Sequence, residues 1–361
     1  MAVTAVVFFV SNNSIFAEVE NVFTLPRYTI DGITYALNTE SKQDDWEYYK
    51  YVGAIVVPDD DNKTIFSGKV TIPQTVLIDG VEYPVYAFVG LSSETENVSK
   101  NVELVLQDGI KVIGVYPIMS VSCIKSMSIP QTVEVIYGMP YYVSGELVIP
   151  SSTKLIGHQA YVGADKLFLS DGIRSCQSYS IVCDNTTLTI PGSMRIGLNA
   201  IIATKLENLV ITKSASKYLS PYFGMQFCYS SYGIKTIKCE YDIPPSTSTD
   251  AFRLEPSIAD PMYPEDDNLD GYNPGMYDRA TLYVPKAAIE AYKADAEWGR
   301  FKNILAIEDG VDDISADAAE VVATEYYDLS GRRLEAPAER GITITATIYS
   351  DGTRRCAKTV R

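Results

Sequence analysis

The chain has 361 residues, 46% hydrophobic and 21% charged, which is the composition of a globular protein and excludes a disordered tail or a membrane bundle. Its 30 basic and 46 acidic side chains give a formal charge of −16, so a phosphate backbone or an anionic lipid surface is repelled and nucleic acid is set aside as a partner. Six cysteines without a CxxC pair, and a single histidine, provide no zinc-ligand spacing; buried single thiols are expected, with a Cys228 to Cys239 disulfide as the alternative.

In chain order, residues 1–17 read as a signal peptide. An apolar run from Met1 to Val10 precedes Ser11 to Ala17 and then the polar Glu18, although no Lys or Arg stands before the run. The run is too short to span a bilayer. Residues 18–57 are expected to form an amino-terminal β cap. Around it, Tyr28 to Tyr35 and Val76 to Tyr83 each place two strand-like runs about an Asp-Gly pair, Asp31-Gly32 and Asp79-Gly80, the strongest short hairpin signal.

A repeat of about twenty residues organises residues 58–308. Val70-Thr71-Ile72-Pro73, Met127-Ser128-Ile129-Pro130, Leu147-Val148-Ile149-Pro150, Leu188-Thr189-Ile190-Pro191 and Leu282-Tyr283-Val284-Pro285 share the form apolar, any, apolar, proline. Leu104-Val105-Leu106, Leu167-Phe168-Leu169 and Leu209-Val210-Ile211 repeat it without proline, and from Ile129 to Ile211 the spacing is 20, 20, 21 and 21 residues. A second phrase follows several strands, as in Lys154-Leu155-Ile156-Gly157-His158-Gln159-Ala160 and Arg195-Ile196-Gly197-Leu198-Asn199-Ala200. Alternation sends the two apolar strand positions inward and the residue between them outward. Stacked coils then bury one continuous core.

These phrases resemble the leucine-rich repeats of the bacterial surface-antigen type, often called BspA-like, whose units carry an isoleucine-proline strand end, then Ile-Gly and an Ala-Phe turn. The Ala-Phe pair stands here as Ala87-Phe88 and changes to Ala160-Tyr161 and Ala200-Ile201. The resemblance implies a β-rich solenoid in the form of a right-handed β/α superhelix, displayed on a cell surface or secreted in association with an outer membrane.

Prolines 244, 245, 256, 261, 264 and 274 mark an insert at 241–279. Inside it Asp266, Asn268 and Asp270, with Gly271, fit the first half of a calcium loop, while the twelfth position is Tyr277 instead of a bidentate glutamate. Solvated loop acids are the competing reading, and calcium is the one cofactor that the sequence raises. Pro285 opens a capping helix whose apolar stripe runs to Trp298, Phe301 and Ile304, with Trp298 expected to pack. A linker at 309–322 leads to a β tail at 323–361. Its Tyr326-Tyr327-Asp328-Leu329-Ser330-Gly331-Arg332 resembles the carboxy-terminal sorting domains of the type IX secretion system; a module that only caps the chain is the alternative.

No G-x-S-x-G, Walker or H-E-x-x-H string occurs, and His158 falls on a repeat turn, so a non-enzymatic binding protein is expected. The outward column of the repeat strands is Thr71, Val105, Ser128, Val148, Phe168, Thr189, Val210 and Tyr283, flanked by Lys69, Glu103, Glu146 and Lys166. Phe168, Val148 and Tyr283 are its apolar anchors for a protein ligand, such as a host or extracellular-matrix protein, or for a glycan. The rival expectations are a structural surface or matrix component, and a carbohydrate-active β-solenoid with opposed carboxylates.

Overall fold

The computed structural model describes residues 22, 24–41, 50–58, 61, 63–114, 122–214, 221–229, 233–253, 276–307, 321–327, 333–334, 336, 342–349 and 354–360. The chain divides into two compact units, Met1–Gly310 and Val311–Arg361. The first is a β-rich repeat solenoid with three faces, here A, B and C.

Face A is built from the apolar-any-apolar strands. Lys69–Ile72, Glu103–Leu106 and Ser126–Ser128 pair in parallel. The ladder resumes in 146–149 against 166–169. After a second break it runs through Thr187–Ile190, Asn208–Ile211, Thr236–Cys239, Thr281–Val284 and Asn303–Ala306, all parallel.

The second phrase of each repeat is itself a strand. Val112–Ile113, Val135–Ile136, Leu155–Ile156, Ser175–Cys176, Arg195–Ile196, Tyr222–Phe223 and Ser246–Thr247 form the parallel rungs of face B. Face C continues the circuit in Ser122–Ile124, the first residues of Tyr141–Ile149 and of Val162–Leu169, Ile181–Cys183, Ile201–Ile202 and Cys228–Tyr229. No helix lies between the strands of 122–214, so the expected β/α form is corrected to an all-β coil. Twenty residues suffice for three short extended segments and their corners, and rungs only two residues long are held by ladder bonds to the coils above and below.

Each coil points its alternate residues inward. In one circuit Leu147, Ile149, Ile156, Ala160, Val162 and Ala164 are fully buried, and their counterparts continue this core through the stack. Burying a Val, Leu or Ile side chain stabilises by about 1.5–3 kcal/mol, which makes the inward rows the main source of cohesion. Between faces B and C the chain turns through a left-handed residue in successive coils: Gln159, Tyr179, Asn199, Gln226 and Asp250, with φ of 54, 56, 49, 49 and 59°.

At the amino-terminal end, Arg27–Ile30 pairs antiparallel with Ile33–Asn38 through Asp31 and Gly32, both at positive φ as the hairpin signal requires. Ile33–Asn38 pairs antiparallel with Gly53–Val56, which in turn runs parallel to Val81–Phe88 in face B. The second Asp-Gly hairpin, Thr75–Ile78 with Val81–Phe88, belongs to the coil stack rather than to the cap.

The described residues at both edges of the expected insert at 241–279 belong to the coil: Ser246–Thr247 continues face B, and the Met276 N–H donates to the Phe252 carbonyl at 3.0 Å. Two prolines in a row disguised this rung in the sequence. Beyond Pro285 a turn of 3-10 helix leads into the short helix Ile289–Ala294, and Trp298 is buried as expected, its indole N–H donating to the Pro245 carbonyl at 2.8 Å. Phe223, Phe227, Phe252, Tyr277, Tyr292 and Phe301 join it in one aromatic cluster.

Cys123, Cys176, Cys183, Cys228 and Cys239 are free, so the Cys228 to Cys239 disulfide is not formed: each thiol sits on its own rung. In the second unit Val321–Tyr327, Arg333–Leu334, Ile342–Tyr349 and Arg354–Val360 form a four-stranded antiparallel sheet. No helix among the described residues is long and apolar enough to cross a membrane.

Candidate binding face

The outward column of face A exists as ladder partners. Thr71 stands beside Val105 and Val105 beside Ser128; Val148 stands beside Phe168. Farther on, Thr189, Val210, Lys238, Tyr283 and Leu305 follow in unbroken register. Val148 is 41% exposed, Ser128 is exposed, and Thr71, Val105, Phe168, Thr189 and Tyr283 are half-buried, as neighbouring side chains on a sheet face are. Val210 departs from the expectation, with only 6% of its surface exposed. It is hemmed in on both sides by its ladder partners Thr189 and Lys238, and a long lysine stem can cover apolar surface while its ammonium stays wet.

Lys238 and Leu305 belong to this column without having been legible in the sequence, because their strands close on the small residues Cys239 and Ala306 in place of a large aliphatic side chain. Alternation in Thr236-Ile237-Lys238-Cys239 was the available signal. Leu305, 47% exposed, adds a further apolar anchor next to Tyr283.

The two halves of face A differ in the column beside this one. In the first half it is Lys69, Glu103, Ser126, Glu146 and Lys166, charged at four of five positions: Glu103 is met by Lys125 Nζ at 2.5 Å, and Lys166 lies 3.9 Å from Glu146. Hydrogen bonding and charge from Lys125 hold the Glu103 carboxyl below its ordinary pKa. In the second half the column is Thr187, Asn208, Thr236, Thr281 and Asn303, all uncharged and in register. Thr236 Oγ1 donates to Asn208 Oδ1 at 2.7 Å and Asn208 Nδ2 to Thr187 Oγ1 at 3.3 Å, which ties these rungs together. Ion pairs flank this neutral strip, with Lys235 to Glu207 at 2.9 Å and Lys205 to Asp184 at 2.6 Å at its margin. Face A thus presents a charge-depleted patch with amphipathic and apolar residues, the composition of an interface centre.

His158 stands at a coil corner, its ring 6.4 Å edge-on from Tyr179, and desolvation holds its pKa below that of free histidine. The calcium-loop string Asp266, Asn268 and Asp270 lies outside the described residues. Of its carboxy-terminal neighbours, Tyr277 is buried with its hydroxyl donating to Glu297, and Asp278 pairs with Lys302 at 2.8 Å, so both are engaged in the coil. Among the described residues no group of three acidic, histidine or cysteine side chains is gathered to hold a metal ion.

No protein-family model matches the chain, and no curated relative does. Among solved structures it is similar to a leucine-rich cell surface protein of Faecalibacterium prausnitzii, at 14% identity and a TM-score of 0.33, over 78% of this chain and 95% of that one. It is also similar to a leucine-rich repeat protein of Bacteroides ovatus, at 13% identity and a TM-score of 0.29 over 77% and 76% of the two chains. A third is the pneumococcal vaccine antigen PcpA, at 11% identity and a TM-score of 0.20 over 78% and 98%. The solenoid described above rests on the strand ladders of this chain, not on these likenesses.

Proposed function

We propose that the chain is an exported, cell-surface or secreted binding protein that engages a protein ligand through face A and carries no catalytic chemistry of its own. The observation that carries this reading is the registered outward column. A row of anchors, Val148 and Phe168 in one stretch and Tyr283 and Leu305 in the other, is held in register by the parallel ladder. Preorganised apolar and aromatic anchors are what make a contact surface bind tightly, because little side-chain freedom remains to be lost. The acids on and beside face A support the non-catalytic part: Glu103, Glu134, Glu146, Asp184 and Glu207 are each taken up by a lysine of an adjoining coil, instead of facing one another across a cleft.

Export is the reading of residues 1–17, which lie outside the described residues. The sorting-type tail is supported by its Tyr-Asp-Leu-x-Gly-Arg string and by its separation as a β unit of its own. The test of the face is a binding screen of the purified chain from Glu18 against extracellular-matrix and host surface proteins, repeated with a Phe168→Ala, Tyr283→Ala variant. A saturable hit weakened at least tenfold in the variant is expected. A hit that the variant leaves untouched removes face A as the contact surface, and self-association without any hit makes the chain a structural component instead.

A further inference from the structure

A different surface departs from the charge balance of the rest of the molecule. Along the corner that leads into face B, and on to that face, five residues follow one another coil by coil. The N–H of Glu134 donates to the Lys111 carbonyl at 2.8 Å, that of Lys154 to Glu134 at 2.7 Å, that of Arg174 to Lys154 at 3.3 Å and that of Arg195 to Arg174 at 2.9 Å. Lys111, Glu134, Lys154 and Arg174 hold one position in successive coils, and Arg195 lies one residue farther along on the next rung, in register with Ser175: four cations and one carboxylate in a chain whose formal charge is −16. Glu134 serves both lysines, at 3.4 Å from Lys111 and in a short contact with Lys154. Arg174 and Arg195 are exposed, and neither forms an ion pair with a described carboxylate. Arg195 lies over the ring of Tyr222 on the next rung, 4.8 Å from its centroid.

We propose that this basic row is a binding site for an acidic polysaccharide bearing carboxylate or sulfate groups. Five coils at a strand spacing of about 4.8 Å set the cations in a band about 19 Å long, with Arg195 stepped one residue to the side, which matches a polymer of repeated anions better than one small anion. Arginine is the side chain suited to this work, since its planar fork meets a carboxylate or sulfate in two parallel hydrogen bonds. The backbone groups of face B are already committed to the ladder, so an extended acidic peptide has no strand to join and recognition falls to side chains. Those alongside are hydroxyls and an amide, Ser175, Gln177 and Ser246, partners for sugar hydroxyls. The net negative charge does not defeat the site. At physiological ionic strength charges farther away than about 8 Å are screened, and the local row decides.

The site is independent of face A, and its test separates the two. Binding of the chain from Glu18 is measured by calorimetry to polygalacturonate and to heparin, with dextran and poly-glutamate as uncharged and peptide comparisons. The variants are Arg174→Glu, Arg195→Glu together, Lys166→Glu as a reversal elsewhere, and Phe168→Ala, Tyr283→Ala; thermal unfolding checks that each keeps its fold. The expected result is that at least one acidic polysaccharide binds, dextran does not, and poly-glutamate is at least tenfold weaker. Added salt should weaken binding, and the double arginine reversal should cost at least tenfold while the other two variants cost less than twofold. Absence of binding to both acidic polysaccharides, binding indifferent to the arginine reversal, or equal binding of poly-glutamate overturns the proposal, the last in favour of an acidic protein partner.

Discussion

Asn185 shows what a single side chain does in a stack of coils. The face A ladder is interrupted between 166–169 and Thr187–Ile190, and there the Asn185 side chain takes the place of a strand, accepting from the Leu167 N–H at 2.8 Å and donating to the Leu167 carbonyl at 3.2 Å. It is buried, so neither backbone group can turn to water instead. Asn185→Ala should therefore cost about 1–3 kcal/mol, the penalty of leaving buried polar groups unpaired, and lower the urea midpoint without changing the slope. A midpoint within error of the parent protein would mean that the two strands close the gap by themselves. Nothing in Cys183-Asp184-Asn185-Thr186 announces this role, because asparagine there reads as an ordinary turn residue. The buried thiols were more legible. Cys176 and Cys183, whose pKa values burial pushes up to about 12, should resist alkylation until the chain unfolds, whereas half-buried Cys123 should be modified first; mass spectrometry after a short iodoacetamide pulse reads the order.

Elements were legible in proportion to how strongly their chemistry is dictated. The face A strands declared themselves by alternation and a closing proline, and both Asp-Gly hairpins form where the sequence placed them. Faces B and C did not, because alternation needs about four residues to be seen and their rungs hold two or three. Between those faces the corner uses a left-handed residue that is not glycine, a conformation that Asn199 and Asp250 adopt readily but that Gln159, Tyr179 and Gln226 do not announce. Such a conformation costs an L-residue about 1–2 kcal/mol, partly regained here through ladder bonds such as that from the Gln159 N–H to the Ser178 carbonyl at 2.8 Å. Gln159→Gly keeps that backbone bond and removes the strain, so it should raise stability by up to about 1 kcal/mol once the flexibility of glycine in the unfolded chain is deducted. Gln159→Val should lower it. Thermal midpoints that move in the opposite order would show that the corner is held by its side chain rather than by its backbone.

At the scale of the whole molecule, the repeat period made a continuous core legible and left the surface chemistry hidden, since a band such as Lys154, Arg174 and Arg195 forms only when residues about twenty apart are stacked on adjoining coils. The same stacking buries phenols along the length of the solenoid: Tyr35 near its start, Tyr141 in the middle, Tyr277 and Tyr292 near its end. Desolvation is the largest cause of a raised pKa in all four, carrying Tyr35 from 10.0 to about 12 and the others higher still. A group whose folded pKa is raised stabilises fully while the pH is below its unfolded value. Above that, the unfolded chain sheds the proton and the folded chain keeps it, so stability falls as pH rises. The window for Tyr35 runs from about pH 10 to about 12, and each such tyrosine contributes a slope of at most about 1.4 kcal/mol per pH unit. The unfolding temperature should hold level up to about pH 9 and then drop steeply, with the tyrosinate absorbance of these residues appearing only as the chain unfolds. If tyrosinate from all the tyrosines appears near pH 10 with the β-sheet signal intact, then the phenols are open to hydroxide in the folded state and the coils do not pack as tightly as their buried rows require.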